Sequence, residues 1–319
     1  MKTISILALC YNHAEFLNDA LQSLNQLPKH VQILILDDAS TDQSPEILKN
    51  WQNIRLDWTF IFHAENKGNC KSFNELLKLA SGDWILDFAT DDVVNPEMLM
   101  SMVEKAAACP DAGFCYADAR IFRQKHGPFL HFSKLNRREA SPEGRILPKF
   151  FPPGFICPPA VLFSRKALQI VGGYNESLSY EDLDVWLRLA RKFPVYWFPE
   201  TIVNYRKHDS SMSAGIFRQR SGAHLQSTRE ILSMILEWQE FQPPDPGLVR
   251  FIRYHVKLSF FLQLPEICEA FYRILKEQGQ TKNLDEIFRF WAGKLPGITE
   301  LYLIFVDARN KLRYLFYSR

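Results

Sequence analysis

The stretch GDWILDFATDDVVNP, residues 82–96, decides the fold. Trp84 to Phe88 has the composition of a short buried strand, the adjacent carboxylates Asp91 and Asp92 follow it, and Pro96 opens a helix expected to reach Ala108. A strand that ends in acids and turns into a helix is half of a βαβ unit, and the same step recurs toward the amino terminus. Thr3 to Leu9 reads as a first strand. A helix follows from Glu15 to Leu27, with Phe16, Ala20, Leu21, Leu24 and Leu27 at helical spacing. Val31 to Leu36 is a second strand, ending at Asp37 and Asp38, and Ser44 and Pro45 start a helix to Trp51. Thr59 to Phe62 is a third strand and Lys71 to Ala80 a helix. The alternation predicts an α/β fold around a largely parallel sheet. Ligands of such sheets sit outside the carboxyl ends of the strands, and here those ends carry Cys10, Tyr11 and Asn12, then Asp37 and Asp38, Asn66, and Asp91 and Asp92.

Beyond the first 118 residues the pattern changes. From Lys125 to Pro159 basic and proline-containing sequence predicts an irregular loop carrying Arg137, Arg138 and Arg145. Ala160 to Phe163 is a strand, Lys166 to Val171 a helix ended by Gly172 and Gly173, and Leu183 to Arg191 a helix behind Glu181 and Asp182. Strands at Val195 to Phe198 and Thr201 to Tyr205 lead into Arg206, Lys207 and His208. The rest is helical in pattern apart from FQPPDPG at 241–247. Residues 1–214 are therefore expected to form one domain, with halves at 1–118 and 119–214, and 215–319 a helical extension. From Arg250 onward there are 12 basic and 7 acidic residues, and a helix from Glu300 to Phe316 puts Leu301, Ile304, Phe305, Leu312, Leu315 and Phe316 on one face. That composition suits an ordinary docked helix, a membrane-surface helix or a partner-binding one.

The 319 residues are 47% hydrophobic, enough for a large core, and their net charge of +2 gives no case for a polyanionic partner such as nucleic acid. Six scattered cysteines without a CxxC pair fit reduced thiols in a cytoplasmic protein and disfavour zinc. The first residues read as a buried strand and not as a signal peptide. No apolar run reaches the length of a membrane span.

Asp91 and Asp92 are suited to a hard cation such as Mg²⁺ or Mn²⁺ bridging phosphates, or to capping the helix at Pro96. Asp38 is placed to accept hydrogen bonds from a nucleoside or to cap a turn. Glu181 and Asp182 offer a general base or the acidic first turn of a helix.

Taken in order, SILALCYNHAEFLNDALQSL (5–24), ILILDDASTDQS (33–44), ENKGNCKSFNELLKLASGDWILDFATDD (65–92), GGYNESLSYEDLDVWLRLA (172–190) and YRKHDSSMS (205–213) resemble the inverting GT-A glycosyltransferases of family 2. The resemblance implies a Rossmann-like GT-A sheet flanked by helices. It places Cys10, Tyr11, Asn12, Asp38, Asn66, Lys71 and Asp91 around the nucleotide, and Asp91, Asp92 and His208 around Mn²⁺ or Mg²⁺. It makes Asp182 the catalytic base and Glu181 its acidic neighbour. The commoner family motif has an aspartate at the position of Ala89, which leaves open which of Asp91 and Asp92 touches the metal. By family habit the donor is a UDP-sugar, with dTDP and GDP open, and the acceptor a saccharide or lipid-linked hydroxyl in surface polysaccharide or glycolipid synthesis. With the basic terminal helix, 300–319, the implied place is the cytoplasmic face of a membrane. A sugar nucleotidyltransferase lacks its glycine-rich phosphate loop here and a dinucleotide oxidoreductase its GxGxxG. A catalytically silent carbohydrate-binding or scaffold relative would not need Asp91, Asp92 and Asp182 together.

Overall fold

The computed structural model describes residues 3–122, 130–135, 141–147, 150–208, 211 and 222–306. They fall into two compact units, one of Met1–Ile146 with Phe155–Lys207, the other of Leu147–Gly154 with His208–Arg319. Arg137 and Arg138 lie outside the described residues.

The first unit starts with the expected βα steps: β1 (Ile4–Cys10), α1 (Ala14–Asn25), β2 (Gln32–Asp37), α2 (Ser44–Ile54), β3 (Thr59–Phe62), α3 (Asn69–Leu79) and β4 (Trp84–Ala89). These four strands are parallel in the order β3-β2-β1-β4. The chain winds outward from β1 to β3 and then returns to the other side of β1, so the order reverses between β1 and β4. That reversal opens a crevice at their carboxyl ends. Ile6 and Ala8 of β1 and Trp84, Leu86 and Phe88 of β4 share a core with Leu17, Leu21 and Leu24 of α1. Leu7, Leu34 and Ile85, which point the other way by strand alternation, are buried too. Cover on both faces is why these strands read as unbroken apolar runs.

The amino ends of the strands are tied by a polar knot. Ser5 Oγ donates to Gln32 Oε1 at 2.6 Å and accepts from Gly82 N–H at 2.8 Å. Gly82 approaches so closely that a Cβ there would lie 2.5 Å from the Ser5 nitrogen.

The remaining elements are β5 (Val93–Val94), α4 (Pro96–Ala106), β6 (Phe114–Phe122), β7 (Leu130–His131), α5 (Phe132–Leu135), β8 (Val161–Ser164), α6 (Arg165–Val171), α7 (Asp182–Lys192) and β9 (Val195–Arg206). Asn95 caps α4 by accepting from Met98 N–H, and α6 ends on left-handed Gly172. The parallel sheet expected of the first 116 residues is present in β1 to β4; beyond it the sheet becomes mixed, with β8 antiparallel to both β4 and β6, β5 to β9 and β7 to β6, and β6 parallel to β9. The two strands expected at 195–198 and 201–205 are one, β9, whose pairing with β6 shifts register around Asp118. That irregularity accommodates Pro199, which lacks the N–H a regular ladder needs.

In the second unit α8 (Ala223–Leu236), α9 (Pro246–Phe261), α10 (Pro265–Glu277) and α11 (Asn283–Trp291) are followed by helical turns at 298–306. Asp245 caps α9, accepting from Gly247 and Leu248 N–H. Arg253 of α9 meets the fully buried Asp285 of α11 at 3.0 Å and the carbonyl of Gln280 at 2.6 Å. Phe151 packs its ring on Phe241 and Phe251. Among the described residues no helix is long and apolar enough to cross a membrane. Tyr302 stacks on Phe261, while Leu301, Ile304 and Phe305 are about two-thirds exposed (65%, 67% and 63%).

Candidate active site

The loops after β1 and β2 are woven together. Asn12, in the left-handed region at φ 58°, donates its N–H to Ser40 Oγ, and its own Oδ1 accepts from Thr41 N–H at 2.8 Å. Asp42 accepts from Ala14 N–H, and Ser44 Oγ, which begins α2, accepts from His13 N–H. Tyr11 is exposed at 46% on this rim. The Cys10 thiol faces inward instead, against Thr90 and Ser44. Burial pushes it up to about 11, so it stays protonated.

Asp38 organises the next loop. Oδ1 accepts from Lys67 N–H at 2.9 Å and lies 2.7 Å from His63 Nδ1, and Oδ2 accepts from Gly68 N–H at 2.8 Å. The Asn66 amide donates to the Asp38 carbonyl. Burial acts to raise the Asp38 carboxyl, yet the hydrogen bonds from His63, Lys67 and Gly68 win and hold it below its usual range. Asp38 thus shapes the wall of the crevice as well as standing in it. Lys71 is exposed in the first turn of α3.

At the end of β4, Ala89 is exposed and Thr90, Asp91 and Asp92 are buried. His13 Nδ1 lies 2.9 Å from Thr90 Oγ1 and Nε2 lies 3.9 Å from Asp91 Oδ2. Asp92 Oδ1 accepts from Arg206 N–H at 2.7 Å, and Arg206 Nε donates to the Asp91 carbonyl at 2.8 Å. The guanidinium is clamped between the rings of Phe16 and Phe122. Arg206 therefore fastens the acidic turn to the end of β9. His208, the metal-ligand candidate of the YRKH segment, belongs to the second unit, where its carbonyl accepts from Ser211. Burial, then the neighbouring Asp91 charge, raises the Asp92 carboxyl well above its usual value. Two crowded carboxylates are what a divalent cation relieves. Among the described residues no group of three or more His, Cys, Asp or Glu side chains forms a cage. A cation here would draw further ligands from a diphosphate and water, as Mg²⁺ and Mn²⁺ commonly do.

Asp182 starts α7, with Glu181 as the preceding cap. Asp182 Oδ1 accepts from Leu183 N–H at 2.6 Å. Burial, followed by the Glu181 charge, lifts the Asp182 carboxyl to about 7. Burial also raises Glu181, whose buried Oε2 has no hydrogen-bond partner. Asp184 pairs with Arg188, whose other N–H groups hold the carbonyls of Val171 and Gly173 and fix the turn between α6 and α7. A carboxyl poised near neutrality is what general-base work requires.

The sequence profile of glycosyl transferase family 2 matches residues 5–171, and the chain belongs to that family. Residues of a poly-beta-1,6-N-acetyl-D-glucosamine synthase of Staphylococcus epidermidis are 27% identical over 58% of this chain and 45% of the synthase, so the chain spans about half of that relative. A putative teichuronic acid biosynthesis glycosyltransferase of Bacillus subtilis, TuaG, is 24% identical over 66% of this chain and 81% of its own. Among solved structures, S. aureus TarS 1–349 in complex with UDP-GlcNAc superposes with a TM-score of 0.68 at 17% identity, covering 94% of this chain and 91% of that one. The mannosyltransferase PcManGT of Pyrobaculum calidifontis, in complex with GDP-Man and Mn²⁺, gives 0.57 at 15%, covering 99% and 86%. These structures share the GT-A fold with this chain.

Proposed function

We propose that the chain is a metal-dependent, inverting glycosyltransferase that moves a sugar from a nucleotide-sugar to a hydroxyl of a saccharide or lipid-linked acceptor. The observation that carries it is the pairing of a crowded acidic turn, Asp91 and Asp92, at the strand-order reversal with a half-buried carboxyl, Asp182, held near neutrality at a helix start. Tyr11, Asn12, Asp38, Asn66 and Lys71 line the nucleotide side, with the inward-facing Cys10 beneath them. Asp91 faces the diphosphate with Asp92 behind it, anchored by Arg206. A bound Mn²⁺ or Mg²⁺ supplies Lewis-acid stabilisation to the departing diphosphate.

Asp182 takes the proton of the acceptor hydroxyl on Oδ2, since Oδ1 is occupied by Leu183 N–H. The hydroxyl oxygen bonds to the anomeric carbon as the bond to the diphosphate oxygen breaks on the opposite face, so the configuration inverts and a nucleoside diphosphate leaves. Glu181 keeps Asp182 basic by repulsion. Two similar proteins carry N-acetylglucosamine in their names or bound donor, so UDP-GlcNAc is the first donor to test. Asp182→Asn should retain nucleotide binding and lose about 10²- to 10⁴-fold in turnover. Wild-type turnover in that variant would remove Asp182 from the role, and product NMR with retained configuration would remove the single displacement.

The exposed Leu301, Ile304 and Phe305, followed in sequence by Arg309, Lys311 and Arg313, support peripheral attachment to an anionic lipid surface at the cytoplasmic face. Sedimentation with phosphatidylglycerol vesicles should fall when Leu301 and Ile304 are both replaced by Glu; unchanged sedimentation would contradict this reading.

A further inference from the structure

His63 follows β3 and is held by both its backbone and its ring. Its N–H donates to the Asp37 carbonyl at 2.9 Å, which carries the β2–β3 pairing one step further and leaves the ring beside Asp38. The side chain is only 4% exposed, and Nδ1 lies 2.7 Å from Asp38 Oδ1. An ionised Asp38 offers only acceptors, so Nδ1 carries the hydrogen of that contact. Nε2 lies 3.1 Å from Glu75 Oε2 and 3.2 Å from Lys67 Nζ, which itself donates to Glu75 at 3.3 Å. The loops after β2 and β3 and the helix α3 thus converge on one imidazole.

A carboxylate has four acceptor positions, two on each oxygen. At Asp38 the His63 ring and Lys67 N–H take both on Oδ1, and Gly68 N–H takes one on Oδ2. Ser72 Oγ of α3 stands near enough to lower the Asp38 carboxyl but makes no hydrogen bond. One acceptor position, on Oδ2, is left for a ligand. Burial opposes the charge on Asp38, and the His63 contact is the largest of those that keep it ionised. A single fixed acceptor is selective. It pairs with a ring N–H, which uracil, thymine and guanine carry. Cytosine and adenine put a lone pair at that ring position, with their amino donors displaced to the exocyclic nitrogen, so a site built for the N–H rejects them.

We propose that His63, braced by Glu75, is a positioning residue that makes Asp38 a selector of the nucleobase, fixing its one open acceptor position for donors whose base presents a ring N–H. This rests on the reading of Asp38 as a nucleoside contact. Neither His63 nor Glu75 touches the base; each acts through Asp38. Without the Nδ1 donor, Oδ1 keeps one partner of two and the carboxylate is free to turn, so its open position is no longer fixed. Asparagine at this position offers an amide N–H near the place of Nδ1, whereas phenylalanine keeps a ring and offers no donor.

The test is calorimetric titration of the full chain with UDP against CDP, and with GDP against ADP, each with Mn²⁺. The wild type should favour the ring N–H member of the pair it binds by about 10- to 100-fold. That ratio should fall by about tenfold in His63→Phe, be largely kept in His63→Asn, and fall by less in Glu75→Ala, whose side chain is 38% exposed. A merely structural loss would weaken both members of a pair alike. An unchanged ratio in folded His63→Phe, or in Glu75→Ala should His63→Phe not fold, overturns the proposal. Asp38→Asn separates the two failures: a ratio unmoved there, or a wild type without preference in either pair, sinks the reading of Asp38 as a nucleoside contact. A ratio that moves in Asp38→Asn and not in the His63 and Glu75 variants leaves that reading standing and removes His63 from the role.

Discussion

The two units bury charge in opposite ways. In the first, desolvation raises the carboxyls of Asp87, Glu181, Asp182 and Asp92, and a neighbouring acidic charge adds to it at Asp87, Asp182 and Asp92. In the second, buried Asp285 is answered at once by the Arg253 guanidinium and by the Lys282 N–H, which closes the start of α11. Its buried bases are histidines: burial lowers His255 and His224 to about 4, so they stay neutral. Packing alone favours satisfied or neutral groups. Acids with raised carboxyls persist where something else selects them, and here they cluster at the carboxyl end of the sheet and the start of α7.

The sharpest way to break this contrast is to leave a second-unit charge unanswered. Arg253→Ala strands Asp285 and should destabilise the second unit by about 3–5 kcal/mol, read by chemical denaturation. A loss under 1 kcal/mol would mean that the pair is as tolerant as a surface one.

Opposite responses to acid should follow. Between about pH 4 and 7 the folded first unit binds more protons than its unfolded chain, because its carboxyls are raised, so its stability falls as pH rises through that window. Between about pH 6.5 and 4 the unfolded second unit binds more protons than the folded one, because its histidines are lowered, so its stability falls as pH drops. At pH 5 the loss is on the order of 2 kcal/mol from His255 and less from the more accessible His224. Hydrogen-exchange protection, corrected for intrinsic rates and mapped by peptide, should move in opposite directions in the two units; parallel movement would refute the contrast.

A smaller effect tests the locked end of the sheet. Gly82→Ala drives a methyl into the Ser5 backbone and should cost about 1–3 kcal/mol, with nucleotide affinity nearly unchanged. A large loss of affinity would mean that the two ends of the sheet are not separable.

Much of this was legible in the sequence because its signals are periodic. The β1-to-α4 succession shows in apolar runs punctuated by Asp37, Asp38, Asp91 and Asp92, and the structure moves those boundaries by at most three residues. The sequence reads β9 as two strands because Pro199 and Glu200 interrupt its apolar run, and no local pattern reveals that the ladder with β6 shifts register at that point and carries on as one strand. β6 was missed because Asp118 and Arg120 break the alternation. Asp87 is a lone acid inside WILDFA; its hydrogen-bond partner Tyr174 lies 87 residues away, and only folding brings them together. Arg206 was eclipsed by His208 because a histidine suggests a metal ligand, whereas a buried arginine bracing two backbones has no sequence signature.

The most direct measurement of the central claim is calorimetric titration of the full chain with UDP, with and without Mn²⁺, beside Asp91→Asn. The account predicts UDP binding strengthened by Mn²⁺, with that strengthening lost in Asp91→Asn; UDP binding indifferent to both the cation and the substitution would contradict it.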